Sequence, residues 1–252
     1  MNFRIIWVSI TAILLFALTG CSGGGGAASS GGISTVSGVA ATGAPIMGTV
    51  TLKDKFGVQR GPVSTDNNGN FSVDVSGLSA PFILKAEWGS ASESLTLYSV
   101  ATTSGTANIN PITHLALQIA TNHDPANVFG GQDVMPDTSQ VNTTTVTAAQ
   151  EKIRVLLSPL LTKYGIASFD PISGAFSATP ENRLDTMLDL VSLSLNNGTL
   201  TIANRLDGSI IASGNISTIG ASMMLEMANT PDNAALTDIK DITRMLGTLN
   251  TV

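Results

Sequence analysis

Apolar and polar residues alternate in short segments between residues 33 and 109. In residues 70–75, Phe71, Val73 and Val75 fall on one side of the pattern, with polar residues between them. A period of two over short runs, separated by turn residues, indicates antiparallel strands packed as a β-sandwich. The same pattern predicts strands at 48–52, 81–88 and 94–100 and a short one around 107–109.

The residues at 66–69 read Asp-Asn-Asn-Gly and come directly before a predicted strand. Asn and Gly tolerate positive φ, so this segment predicts a tight hairpin. Because Asp66, Asn68 and Asn70 alternate, a calcium loop is the alternative. An EF-hand loop has Gly at its sixth position and Glu at its twelfth, whereas Gly69 is fourth and the twelfth position is glycine. The turn is therefore the preferred interpretation.

Three short motifs follow one another in this part of the chain. They are Val-Ser-Gly-Val at 36–39, Gly-Ala-Pro-Ile-Met-Gly-Thr-Val-Thr-Leu at 43–52 and Thr-Asp-Asn-Asn-Gly-Asn-Phe at 65–71. In order and spacing they resemble the carboxypeptidase regulatory-like domains, which are transthyretin-like, Cna-B-type β-sandwiches. The resemblance implies a non-catalytic module without peptidase activity. Residues 97–101 and 107–113 also resemble uncharacterised bacterial lipoproteins that carry this domain.

From Asn110 onward the apolar spacing lengthens to that of helices. Asn110 is predicted to cap a helix that has Pro111 at its first position. Thr147 is predicted to cap a second helix over 148–164, which Pro159 should kink or divide. The apolar stripe of this second helix is formed by Ile153, Leu156, Leu157, Leu160 and Leu161.

The rest of the second half combines a loop, helices and a hairpin. Residues 121–145 lack a periodic pattern and predict a long loop. The dipeptide Thr179-Pro180 predicts another helix start. Alternating residues on both sides of the Asn-Asn-Gly turn at 196–198 predict a hairpin. A third strand is predicted at 209–212 and a last helix at 234–249.

The first twenty residues have the pattern of an export signal. Arg4 precedes an apolar run over 5–18 that only Ser9 and Thr11 interrupt. This run is shorter than the roughly 20 residues that a membrane-spanning helix needs. A basic start, an apolar core and small residues at its end predict a signal peptide.

The residues Leu-Thr-Gly-Cys at 18–21 resemble the lipobox of bacterial lipoproteins, and Cys21 is the only cysteine of the chain. The resemblance implies cleavage before Cys21, a diacylglyceryl group on its thiol and an acyl chain such as palmitate on its amino group. Ser22, which is not acidic, implies the outer membrane in an organism that has two membranes. Residues 22–32 are nearly all Gly, Ser and Ala, a composition that is typical of a flexible tether.

These patterns predict an α+β protein, an N-terminal antiparallel β-sandwich followed by a mixed helix and β-hairpin region. The predicted organisation is a signal peptide at 1–20, a lipidated cysteine with its tether at 21–32, the β-sandwich at 33–109 and the α+β region at 110–252.

Composition narrows the range of partners. Only 12% of the residues are charged, the formal net charge is −6, and the lysines and arginines are scattered along the chain. Nucleic acid is therefore not an expected partner, because phosphate binding needs a concentrated cationic face. The sequence indicates no cofactor. The expected partners are the membrane, through the lipid on Cys21, and an envelope protein or glycan.

The chain has two histidines, His114 and His123. His114 falls among apolar residues of a predicted helix, so a structural role is the preferred interpretation. His123 opens the predicted loop, where Asp133 and Asp137 are further metal-binding candidates. Their spacing matches no established zinc motif, so no metal site is predicted.

Two pairs of carboxylates have helical spacing. Asp185 and Asp189 are four residues apart and Asp238 and Asp241 are three apart, so each pair shares a helix face. Either pair could serve acid–base chemistry in a cleft, but solvated helix faces are the preferred interpretation. Trp88 is the only tryptophan outside the predicted signal, so clustered tryptophans do not indicate a sugar site.

No catalytic motif was found in the sequence. The spacing of Thr237 and Lys240 matches that of a Ser-x-x-Lys pair but has threonine in the first place, and it fits an amphipathic helix equally well. The expectation is a non-enzymatic envelope lipoprotein that acts as a structural or binding module. The alternatives are an accessory envelope hydrolase that uses Asp185 and Asp189, and a subunit of an envelope or transport assembly.

Overall fold

The computed structural model describes residues 34–90, 93–131, 141–196, 198–218 and 223–232, which belong to a compact unit over 33–252. The predicted signal peptide, Cys21, the tether and the predicted helix at 234–249 lie outside the described residues. So do Asp133, Asp137, Thr237, Asp238, Lys240 and Asp241.

Seven strands form the N-terminal half, and they confirm the strands predicted at 48–52, 70–75, 81–88 and 94–100. They build one sheet in the order β4-β1-β7 and another in the order β3-β2-β5-β6. All pairs are antiparallel except β1 and β7, which are parallel. The strands are β1 (Thr35–Val39), β2 (Gly48–Lys53), β3 (Gln59–Ser64), β4 (Asn70–Asp74), β5 (Phe82–Ser90), β6 (Glu93–Ala101) and β7 (Gly105–Thr106).

The two sheets share an apolar core. Val36 of β1 and Val73 of β4 lie opposite one another in the first sheet, and both are buried against Val50 and Leu84 of the second. In β4 the exposed and buried residues alternate, because successive side chains of a strand point to opposite faces. The predicted sandwich is confirmed, and its parallel β1–β7 pair departs from the antiparallel arrangement.

The turn predicted at 66–69 forms, but the predicted hairpin is wrong. The turn connects β3 of one sheet to β4 of the other. Asp66 Oδ1 accepts the backbone N–H groups of Asn68 and Asn70, each at 2.8 Å, so the side chain closes the turn without pairing of the flanking strands. The hydrogen bond from the Asn70 side chain is the main reason why the pKa of Asp66 is lowered.

Helices cover the second face of the four-stranded sheet. Ile83, Tyr98 and Val100 project from this face into a second apolar core that includes Leu157 and Leu184 of the helices. The position 109/110 therefore marks a change from strands to helices within one compact unit. The helices are α1 (Pro111–Thr121), α2 (Pro125–Gly130), α3 (Thr143–Lys163) and α4 (Arg183–Leu190).

The first helix begins as predicted, with Asn110 as its cap and Pro111 at its first position. The long loop predicted over 121–145 is wrong in part, because Asp124 caps the short helix α2. A helix of six residues is too short to show an apolar period.

Two predicted helix starts are wrong. Helix α3 begins at Thr143 because Asn142, and not Thr147, accepts the hydrogen bond from the N–H of Thr145. Helix α4 begins at Arg183 because the Asn182 side chain caps it, and not at Thr179-Pro180.

Pro159 does not divide α3, which is continuous from Thr143 to Lys163. Pro159 and Val155 both lie on the exposed face of the helix. Water can therefore satisfy the carbonyl of Val155, which the missing proline N–H leaves without its helical partner. The predicted stripe is confirmed, since all five of its residues are buried.

A third sheet confirms the predicted hairpin and the strand after it. Its order is β10-β9-β8 and both pairs are antiparallel. The α+β class is thereby established. In the described part of the chain, no helix combines the length and the apolar character that crossing a membrane requires. The strands are β8 (Val191–Asn196), β9 (Thr199–Asn204) and β10 (Ile210–Asn215).

Candidate functional site

A cavity of about 270 Å³ lies where three parts of the fold meet. The strands β5 and β6 contribute Trp88 and Leu97, α1 contributes His114 and Leu115, and the β8–β9 hairpin contributes three leucines and Ser194. Thr42, Thr96, Pro111 and Arg205 complete its lining. We call this cavity the His114 pocket.

The position of His114 follows from the start of α1. Asn110 Oδ1 accepts the N–H groups of Ile112 and Thr113 at 2.9 and 3.0 Å, which fixes the first turn. His114 follows directly, and its ring packs against Tyr98 of β6 with 5.7 Å between the ring centroids. The packing agrees with the structural role that the sequence indicates for this residue, and the ring also lines the pocket.

His114 Nδ1 is buried and has no hydrogen-bond partner among the described residues. A buried polar atom in this condition costs roughly 1–3 kcal/mol. Most such atoms in folded proteins do find a partner. His114 also lines the cavity, so a ligand bound there is one way to supply the missing hydrogen bond.

Burial lowers the pKa of His114, because it disfavours the charged imidazolium, while the negative charge of Asp124 acts in the opposite direction. The imidazole is accordingly neutral at pH 7, and each ring nitrogen can either donate or accept one hydrogen bond. An anion bound beside the ring would favour the imidazolium and raise its pKa.

Arg205 supplies a lasting positive charge to the same pocket. Its backbone N–H donates to the carbonyl of Leu190 at 2.8 Å, which anchors the chain at the end of β9. Partial burial lowers the pKa of the guanidinium, and the charge of Asp189 raises it. An arginine nevertheless stays protonated in proteins. The described residues that line the pocket include no carboxylate.

Much of the remaining lining is apolar. This apolar part consists of the Trp88 ring together with leucines of β6, α1 and the hairpin. A mostly apolar cavity with a few convergent polar groups is the usual form of a small-molecule site. This arrangement suits a ligand that joins an anionic group to an apolar body.

The carboxylates Asp185 and Asp189 both lie on α4, in different surroundings. Asp185 is 2% exposed within α4. Asp189 lies against Gly43, where a Cβ atom would stand 2.5 Å from Asp189 Oδ1. Neither residue lines the His114 pocket or the two cavities beside α3. Asp189 bears on the pocket through its charge, which acts on Arg205.

His123 is exposed just after α1, and its predicted companions Asp133 and Asp137 lie outside the described residues. Within the ranges that the structure covers, no group of three or more His, Cys, Asp or Glu side chains is placed to hold a metal ion. The position of His123 therefore does not support a metal site.

Sequence reasoning missed Arg205, Ser194 and Thr42. Each lies in a segment with ordinary strand or turn composition, far from His114 along the chain, and no local motif marks it. Trp88 is an isolated tryptophan in the sequence, and the fold places it in the pocket.

Comparison of the chain with protein-family profiles, with curated proteins and with solved structures found no match. The pocket is therefore interpreted from its own geometry and chemistry.

Proposed function

We propose that the protein is a lipid-anchored lipoprotein of the cell envelope and a non-enzymatic binding module. Its ligand is a small organic acid, a carboxylate on an apolar body, held in the His114 pocket. The observation that carries this proposal is a cavity lined by both Arg205 and His114, whose buried Nδ1 has no hydrogen-bond partner among the described residues.

The chemistry of the pocket supports an acid over other ligands. Arg205 can donate hydrogen bonds to a carboxylate, and such charge-assisted bonds are the strong ones. His114 can donate a further hydrogen bond from its ring. The Trp88 ring and the leucines then cover the apolar body, which contributes about 25 cal/mol per Å² of buried apolar surface.

The anchoring part of the proposal rests on the lipobox at 18–21 and the Gly/Ser-rich segment at 22–32. The lipid on Cys21 would hold the module at a membrane, the outer one in an organism with two membranes. The carboxypeptidase regulatory-like resemblance supports a role without peptidase activity. An envelope protein or glycan is a further proposed partner.

The acid-binding proposal is tested by calorimetric titration of the full chain in detergent with 3-phenylpropionate and with its neutral amide. We expect the acid to bind at least about tenfold more tightly, because a hydrogen bond to a charged group contributes roughly 1.5–3 kcal/mol. Arg205→Gln should weaken binding of the acid by about 10- to 100-fold and leave the amide unaffected. Arg60→Gln, on the exposed strand β3, is the matched control.

The acid should also bind more tightly as the pH falls from about 8 to about 5.5. The bound carboxylate raises the pKa of His114, so binding takes up a proton, while Arg205 keeps its charge over this range. His114→Gln should remove the pH dependence. Equal affinity for acid and amide, or an affinity that Arg205→Gln leaves unchanged, would contradict an acid site in this pocket.

Replacement of the lipidated cysteine tests the anchor separately. Cys21→Ser is expected to abolish incorporation of labelled palmitate and to move the protein from the membrane fraction to the soluble fraction. Its melting temperature and its binding of the acid should stay unchanged, because the described fold begins only after the tether. Retention in the membrane fraction, or a destabilised fold, would show that the anchor and the module are not separable.

A further inference from the structure

A second cleft runs along one side of α3. Two cavities of about 190 and 260 Å³ lie there. Both are lined by Thr147, Gln150 and Asp170, so the two cavities are adjacent. This feature, called the α3 cleft, shares no lining residue with the His114 pocket.

The two ends of the α3 cleft differ in character. One end is lined by apolar side chains, among them Ile153 and Leu157 of α3 and the half-buried Phe169. The other end carries hydroxyl groups, including those of Thr102, Thr106 and Ser173. A ligand that fills both ends therefore needs an apolar part next to a polar, hydroxylated part.

The residues that line both cavities include an amide and a carboxylate that lie side by side. Gln150 Nε2 donates to Asp170 Oδ1 at 2.7 Å. The backbone N–H groups of Ile172 and Ser173 donate to the same oxygen at 2.9 and 3.2 Å. This bond uses one of the two N–H donors of the glutamine amide, so the other donor and the amide oxygen can serve a ligand.

The wall that carries Asp170 is fixed to the junction between the sandwich and α1. Asn108 donates from its backbone to the carbonyl of Ile172 at 2.7 Å and from its side chain to that of Gly174 at 2.8 Å. Asn110 Nδ2 donates to the carbonyl of Pro171 at 3.2 Å. The wall is thus held in place before any ligand arrives, which lowers the entropic cost of binding.

The charges of the cleft favour a neutral ligand. Arg154 pairs with Glu151 at 2.6 Å, so neither charge stands alone. The Asp170 carboxylate already accepts hydrogen bonds from Gln150, two backbone N–H groups and the Ser173 hydroxyl. No lysine is among the described residues that line the cleft. An anion therefore finds no unpaired cation there.

We infer that the α3 cleft binds N-acetylated sugars. The acetamido N–H can donate to the Asp170 carboxylate, and its carbonyl can accept the second N–H of Gln150. The acetyl methyl group then lies toward Ile153 and Leu157, and the sugar hydroxyls lie among the threonine and serine hydroxyls. The ring of Phe169 offers an apolar surface to the carbon face of the sugar.

The inference is tested by titration of the full chain in detergent with tri-N-acetylchitotriose, using amide chemical shifts as the readout. Cellotriose is the matched ligand with hydroxyls in place of the acetamido groups, and the glucosamine trimer is the cationic one. We expect the acetylated trimer to bind at least about tenfold more tightly than either. Shifted resonances should include those of Gln150 and Ser173.

Gln150→Ala should weaken binding of the acetylated trimer by about tenfold. Gln118 is a half-buried glutamine on α1 outside the cleft, so Gln118→Ala should leave this affinity unchanged. Phe169→Leu keeps the hydrogen bonds and should also weaken binding, so the test does not depend on one variant. The inference is overturned if cellotriose or the glucosamine trimer binds equally well, if the acetylated trimer does not bind, or if both cleft variants bind like the parent.

Discussion

Gly69→Ala is expected to lower the free energy of unfolding by about 3 kcal/mol, and Gly77→Ala by only about 1 kcal/mol. Both glycines have positive φ, +76° and +79°, so both substitutions meet the same backbone strain. A Cβ atom at Gly69 would also stand 2.4 Å from the carbonyl oxygen of Ala40, whereas nothing lies within 4 Å of one at Gly77. Chemical denaturation followed by circular dichroism measures the difference.

The carbonyl of Ala40 cannot move aside at low cost. It accepts the N–H of Ile46 at 2.9 Å, and the N–H of Ala40 donates to the carbonyl of Gly69 at 2.9 Å. The close approach therefore belongs to the connection between β1 and the turn before β4. If both variants lose the same free energy of unfolding, the Cβ atom at position 69 does not meet the close contact with Ala40 that the structure shows.

Asn110→Ala is expected to cost about 3 kcal/mol of stability, against about 1 kcal/mol for Asn142→Ala. Both asparagines cap a helix with the same reciprocal arrangement of side chain and backbone. Asn110 is fully buried and also donates to Pro171, so its removal leaves buried groups without partners. Asn142 is exposed, and water can replace its side chain. Thermal unfolding of the two variants side by side tests the comparison.

The two cap variants should differ in binding as well. Asn110 fixes the turn that carries His114 and the wall of the α3 cleft, so its loss should weaken binding of 3-phenylpropionate, whereas Asn142→Ala should leave that affinity unchanged. A similar loss of stability in both variants would show that burial of the cap is not what makes Asn110 important.

Local signals in the sequence predicted several elements correctly. The start of α1 is encoded by Asn110 and Pro111 alone, because a cap needs only the N–H groups of the next two or three residues. The alternation in β4 and the pairing of β8 with β9 are also local. These features depend on neighbours along the chain, and the fold left them unchanged.

The incorrect predictions arose where the local sequence is compatible with more than one helix cap or strand pairing. Either Asn142 or Thr147 could cap α3, and the earlier start brings Val146 of the helix into the apolar core. The turn at 66–69 suits a hairpin equally well, but β4 pairs with β1 in the other sheet. Packing decided both cases, because the burial of apolar surface outweighs the small differences between turns or caps.

The α+β class, most of the strands and the start of α1 follow from sequence patterns alone, and the lipid anchor stays a prediction from the sequence. Only the tertiary structure brought Trp88, His114 and Arg205 to one cavity, and it joined Gln150 to Asp170 in another. Strand and helix signals arise from a few neighbouring residues. A binding site needs side chains from distant segments, whose approach depends on how sheets and helices bury their apolar faces against each other.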